Sequence, residues 1–139
     1  MSKKARAGVL DTSTLILLTR ITDASTLPAE PFITTVTLAE LSVGPLVATD
    51  EDERARRQAL LQQAEADFEP LPFDSAAARA FGQVAAALRR TGRKPAARAY
   101  DALIAAVARA HDYPIYTCNP GDFRGIDDLE VVAVPHPHT

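Results

Sequence analysis

Residues 99–123 read AYDALIAAVARAHDYPIYTCNPGDF, and this stretch decides the fold. Its first half is an alanine-rich helical pattern with a carboxylate, Asp101, near the start. A β-branched and aromatic run, Pro114 to Cys118, follows and leads into a polar loop reaching Asp122 and Phe123. That brings two acids near the carboxyl end of a strand, where α/β sheets commonly place their ligands.

Outward from this stretch the chain repeats the same grammar. Gly8 to Leu10 is a short apolar run followed at once by Asp11, Thr12 and Ser13, and then by apolar Leu15 to Leu18. This reads as a buried strand, a tight polar turn, and a helix capped by one of those side chains. Thr26 to Pro31 is loop, Phe32 to Val36 a second strand, and Thr37 the start of another helix. From Asp50 onward, EDERARRQALLQQAEADF is a long amphipathic helix with acids in its first turn. Phe68 to Phe73 carries two prolines, as edge strands tolerate. Asp74 is placed to cap a helix over Ser75 to Arg90, and the loop Thr91 to Pro95 separates it from the helix holding Asp101. Val131 to Val134 is a last strand, and residues 135–139 read as a flexible tail. Strands alternating with helices predict an α/β layered fold with a mainly parallel central sheet flanked by helices.

The totals bound the function. At 139 residues the chain reads as one domain, 1–139, with 47% hydrophobic and 24% charged residues, ordinary for a folded globular protein. A net charge of −3 does not announce nucleic-acid binding, although a cluster of carboxylates would itself hide a local basic patch. The single cysteine, Cys118, excludes an intrachain disulfide framework and suits a reducing compartment. The start MSKKARAGVLD lacks the apolar segment of a signal peptide, and no apolar run approaches ~20 residues. A cytoplasmic protein with no membrane association is expected.

Four of the eighteen acids stand out: Asp11, Glu40, Asp101 and Asp122. Asp11 ends a buried strand, Glu40 lies in the apolar setting TLAELSVG, and Asp101 precedes a core-forming run. Carboxylates in such surroundings cost several kcal/mol each unless paired, hydrogen-bonded or metal-bound. Each also has a local explanation. Glu40 stands three residues after Thr37, as in a capping box; Asp11 and Asp122 could close Asx-turns; Asp101 suits the start of a helix. One metal site accounts for all four together, and oxygen-only ligands favour Mg²⁺ or Mn²⁺ over Zn²⁺. Thr12, Ser13 and Thr14 stand beside Asp11, and Thr117 and Asn119 flank a later strand's end, where they could orient carboxylates or water, or serve as turn and cap residues.

The three stretches LDTSTLI, TTVTLAELSVG and AYDALIAAVARAHDYPIYTCNPGDF, in this order, resemble the PIN-domain family and within it the VapC-type toxin ribonucleases of bacterial toxin–antitoxin modules. The resemblance implies a PIN-like three-layer fold with a five-stranded parallel sheet. It also implies an Mg²⁺- or Mn²⁺-dependent endoribonuclease that leaves a 5′-phosphate and a 3′-hydroxyl. By position in the motifs, the family's four acids fall on Asp11, Glu40, Asp101 and Asp122, and its final hydroxyl and amide on Thr117 and Asn119. Asp11, Asp101 and Asp122 are then assigned to the metal, and Glu40 to holding water there or acting as general base. Arg93, Lys94, Arg98 and Arg124 flank the acids and are assigned to the RNA backbone, while the arginines of DERARR read as a solvated helix face. The implied partners are RNA, a VapB-like antitoxin, and a second copy of the chain docked through Leu15 to Leu18 or Leu38 to Leu46, giving a heterotetramer or larger assembly with the antitoxin. Between Pro45 and Arg98 the chain matches only in helical character.

Two other readings compete. DTST resembles the strand-ending aspartate of haloacid dehalogenase phosphatases, but that pattern wants a second Asp where this chain has Ser13. A non-catalytic α/β module that binds RNA or a protein would keep the fold without the chemistry.

Overall fold

The computed structural model describes residues 6–93 and 99–137. Among them, four strands form one sheet in the order β2-β1-β3-β4: β1 is Ala7–Leu10, β2 Glu30–Phe32, β3 Ile115–Thr117 and β4 Val131–Ala133. Every pairing is parallel, with Val9 opposite both Phe32 and Ile115, and Ile115 opposite Val131. All four carboxyl ends therefore point to the same edge.

Five helices flank the sheet among the described residues: α1 (Thr12–Ile16), α2 (Thr35–Val47), α3 (Glu51–Asp67), α4 (Ser75–Arg90) and α5 (Ala99–Ala110). Alternate residues of the strands face opposite layers, as the two-residue period requires. Val9 and Ile115 join a core with Val84 and Leu88 of α4, the buried face of α5, Phe123 and Ile126. Leu10 and Tyr116 join Leu15, Ile33, Leu41, Ala64 and Val134 on the other side. The result is the expected three-layer α/β fold.

Small residues let the layers close. Ala102, Ala105, Ala106 and Ala108 of α5 are buried to 1% exposure or less, so the helix packs directly on the sheet and on α4. Gly8 serves the same end in β1. A Cβ there would stand 2.5 Å from two ring carbons of Tyr116, so the central strand must lack a side chain at that point.

Three boundaries differ from the sequence expectation, the first being that the second strand starts at Glu30, inside the segment expected as loop. The second strand ends at Phe32, two residues upstream of the expected centre, and α2 starts at Thr35 rather than Thr37. Thr34 is the reason: its hydroxyl accepts from the Thr37 N–H, capping the helix three residues earlier than the β-branched run suggests. Thr37 is thus inside the first turn, and the Thr37–Glu40 capping box does not form. The fifth strand, expected over Phe68 to Phe73, is reduced to one parallel bridge between Leu71 and Thr34. Leu71 donates to Ile33 O and accepts from Thr35 N, both at 2.9 Å. Pro70 and Pro72 on either side have no N–H to continue the ladder.

Asp50 and Asp74 cap α3 and α4 as their positions predict. Pro135, His136 and Pro137 line a cavity of about 280 Å³ with residues of the Arg20–Thr26 segment. No described helix is long and apolar enough to cross a membrane.

Candidate active site

The strand order has one reversal. The chain leaves β1 for β2 on one side and returns through α2 to α5 to β3 on the other, so β1 and β3 flank the switch point. Side chains just beyond their carboxyl ends share the crevice that such reversals open. Asp11 follows β1 directly, and β3 ends at Thr117 with Asn119 two residues on.

Asp11 is the N-cap of α1 and only 1% exposed. One carboxylate oxygen accepts from the Thr14 hydroxyl and, at 3.3 Å, from the Thr14 N–H. The other accepts from the Thr117 hydroxyl at 2.9 Å and the Ser13 hydroxyl at 3.3 Å. Behind this shell the same hydroxyls accept: Cys118 N–H donates to Thr14 Oγ1, Asn119 N–H to Thr117 Oγ1, and Asn119 Nδ2 to Ser13 Oγ. Each hydroxyl has one proton, and every one is turned toward Asp11.

Glu40 sits on the second turn of α2, half-buried, with its Oε1 2.6 Å from the Thr12 hydroxyl that donates to it. Thr12 Oγ1 is also 2.9 Å from Thr37 Oγ1. Since the Thr12 proton is committed to Glu40, Thr37 is the donor in that second bond. The sequence named Thr12 and Thr14 beside Asp11 but did not place Thr37 in the site. Their signal was a run of threonines at positions whose faces are buried, and all three are 9% exposed or less.

Burial pushes the Asp11 carboxyl above its ordinary range, against the pull of the hydrogen bonds from Thr14, Thr117 and Ser13. Burial likewise pushes Glu40 up, opposed by the Thr12 hydroxyl and reinforced by the negative charge of Asp11. Glu40 therefore feels the charge of Asp11.

Asp101 lies in the first turn of α5 and is half-buried; α5 packs against α2, which carries Glu40. Asp122 lies in a 3₁₀ turn, Pro120–Phe123, whose residues pack against α5 and β4. Among the described residues, no three His, Cys, Asp or Glu side chains are gathered closely enough to hold an ion as they stand. The structure thus brings Glu40 within reach of the charge of Asp11 and places Asp101 on α5 and Asp122 on the 3₁₀ turn, with no third acid gathered to the pair among the described residues.

The basic residues divide differently from expectation. Lys94 and Arg98 lie outside the described residues. Arg124 is exposed beside Asp122, whereas the Arg93 guanidinium is turned onto the carbonyls of Gly121, Asp122 and Arg124. Arg56 and Arg57 lie on a helix face that stays largely solvated, as read from the sequence; there they pair with Glu53 and line a cleft of about 710 Å³ that opens onto Thr12 and Glu40. Cys118 is buried and free, as a small side chain in an apolar strand should be.

The model of the PIN domain family matches residues 8–129. Ribonuclease VapC5 of Mycobacterium tuberculosis is 40% identical over 136 residues, which cover 96% of this chain and 98% of the relative. Ribonuclease VapC of Rickettsia bellii is 32% identical over 130 residues, 91% of this chain and 96% of the relative. Among solved structures, a member of the VapBC family of toxin-antitoxin systems, VapBC-5 from Mycobacterium tuberculosis, superposes with a TM-score of 0.80 at 39% identity, covering 94% of this chain and all of the other. DNA-bound VapBC from Salmonella typhimurium gives a TM-score of 0.72 at 25% identity, covering 92% and 97%. The motifs around Asp11, Glu40, Asp101 and Asp122, the sheet order and these matches agree: the chain belongs to the PIN-domain family and, within it, to the VapC-type ribonucleases.

Proposed function

We propose that this chain is a divalent-metal-dependent endoribonuclease, the toxin of a two-component module, working from Asp11, Glu40, Asp101 and Asp122. The observation that carries the reading is the buried Asp11 at the switch point, held by hydroxyls that all donate to it and close enough to Glu40 to raise it. Two negative groups forced together in a low-dielectric crevice call for a cation, and a donor set made only of oxygens suits Mg²⁺ or Mn²⁺. Two of the four donors to Asp11 stand at 3.3 Å, weak bonds that an ion can displace.

Asp11, Asp101 and Asp122 would hold the ion; Thr117 at the end of β3 fixes the first of them, and Asn119 holds the Thr117 and Ser13 hydroxyls from behind. Such an ion lowers the pKa of water and screens charge developing on the phosphate. Glu40 is the residue to take the proton from the attacking water. Its burial raises its proton affinity toward that role, and the Thr12–Thr37 pair holds its oxygen in place. Water then attacks phosphorus in line, the ribose oxygen leaves, and the products carry a 5′-phosphate and a 3′-hydroxyl. Arg124 beside Asp122 contacts the RNA backbone.

The relatives' VapBC complexes support a small VapB-like antitoxin as the protein partner. Ile16, Val43, Leu46 and Val47 are apolar side chains left exposed on α1 and α2, the helices expected to dock a second copy. The test of the chemistry is RNA cleavage with Mg²⁺ or Mn²⁺ by wild type, Asp11→Asn and Asp101→Asn. Each substitution should lower kcat/KM about 100-fold or more, and a chelator should abolish activity. Undiminished cleavage in both variants, or in the chelator, rules the mechanism out.

A further inference from the structure

We propose that the end of α4 sets the position of Asp122, with Arg93 as the positioning residue; the metal role of Asp122 itself rests on the reading above. Helix α4 closes with Gly92 at φ 81°, Gly92 N–H donating to Arg89 O at 3.0 Å and Arg93 N–H to Leu88 O at 2.9 Å. This is the left-handed helix stop that glycine adopts most readily, and it fixes the backbone of Arg93. From there the guanidinium spans three carbonyls of one turn. Nη2 donates to Gly121 O at 2.8 Å, and Nη1 to Arg124 O at 3.1 Å and Asp122 O at 3.3 Å.

Two further anchors tie the same pieces together. Gly125, at φ 91°, passes so close to α4 that a Cβ would stand 2.6 Å from the Thr91 methyl. Arg90 Nη2 meets Asp127 Oδ2 at 2.5 Å. Arg90, Thr91 and Arg93 thus grip the segment 121–127 in order. A single 3₁₀ turn has too few bonds of its own to hold a side chain in one direction. Gly121 O, which also accepts from Arg124 N–H, is where the turn and the clamp share an atom. A planar fork is required for this, because a lysine can reach one of the carbonyls but cannot bridge three. Arg93 touches no reacting group; it acts through the backbone of Asp122.

The experiment compares the full chain as wild type, Arg93→Lys, Arg93→Gln and Asp122→Asn. The readouts are amide exchange over residues 119–125, Mn²⁺ affinity, and kcat and KM on RNA. For Arg93→Lys we expect faster exchange at the Asp122 and Arg124 amides, Mn²⁺ affinity weakened about tenfold, and kcat lowered with KM unchanged. Arg93→Gln should move the same quantities further in the same direction, and thermal melts identify a variant that is simply unfolded. Unchanged exchange and Mn²⁺ affinity in a folded variant overturn the proposal. So does a salt-sensitive rise in KM alone, which would make Arg93 a contact to RNA phosphate. Wild-type Mn²⁺ affinity in Asp122→Asn would instead remove Asp122 from the metal site, and the exchange data on Arg93→Lys would still decide whether the clamp exists.

Discussion

At the scale of single residues the site is a contest between burial and hydrogen bonding at Asp11. Burial raises its pKa, and the donors from Thr14, Thr117 and Ser13 recover only part of that cost. The sign of the consequence follows from linkage. A carboxyl whose folded-state pKa lies above its unfolded value binds its proton more tightly when folded, so the chain loses stability as pH rises through that raised value. Asn at position 11 does not titrate. In metal-free buffer Asp11→Asn should therefore gain stability relative to wild type as pH rises from 4 to 8, measured as the difference in Tm. A difference that shrinks over that range contradicts the burial argument. Asp11, Thr12, Thr117 and Asn119 were legible in the sequence because they sit beside recognisable strand ends. Thr37 and Arg93 were read as a helix cap and an RNA contact; the bonds they make in the structure were not legible, since their partners are 25 and 28 to 31 residues away.

At the scale of elements the deciding features are close approaches. The alanine face of α5 was readable as a packed helix, and its burial bears that out. Gly8 was readable only as part of an apolar run; its purpose appears when Tyr116 from the neighbouring strand lies across it. Gly8→Ala should destabilise the fold by about 1–3 kcal/mol through overpacking of that pair, measured by chemical denaturation. A smaller loss would mean that the Tyr116 ring can swing aside. The limits of β2 and the lost fifth strand have the same lesson in backbone chemistry. A hydroxyl at Thr34 ends one strand early, and two prolines leave the other a single bridge, so capping and missing donors outweigh β-branched propensity.

At the scale of the molecule, parallel strands put every carboxyl end on one edge, and the reversal between β1 and β3 makes one crevice there. Asp11 and Glu40 lie there at the end of β1 and on α2, and the proposed function adds Asp101 of α5 and Asp122 of the turn after β3. A cation binding them should stabilise the folded chain by mass action, by about 2.7 kcal/mol when present at a hundred times its Kd. Mn²⁺ should accordingly raise the Tm of wild type by several degrees and leave Asp11→Asn nearly unmoved; equal shifts in both would place the ion elsewhere. The sequence by itself determined the order of the helices and of the four sheet strands and the capped starts of α1 and α4, because those depend on neighbours within a few residues. Tertiary structure alone decided which threonine donates to which carboxylate, how the arginines of α3 and Arg93 are spent, and where strand pairing stops. Those outcomes depend on which segments the folded chain brings within hydrogen-bond reach.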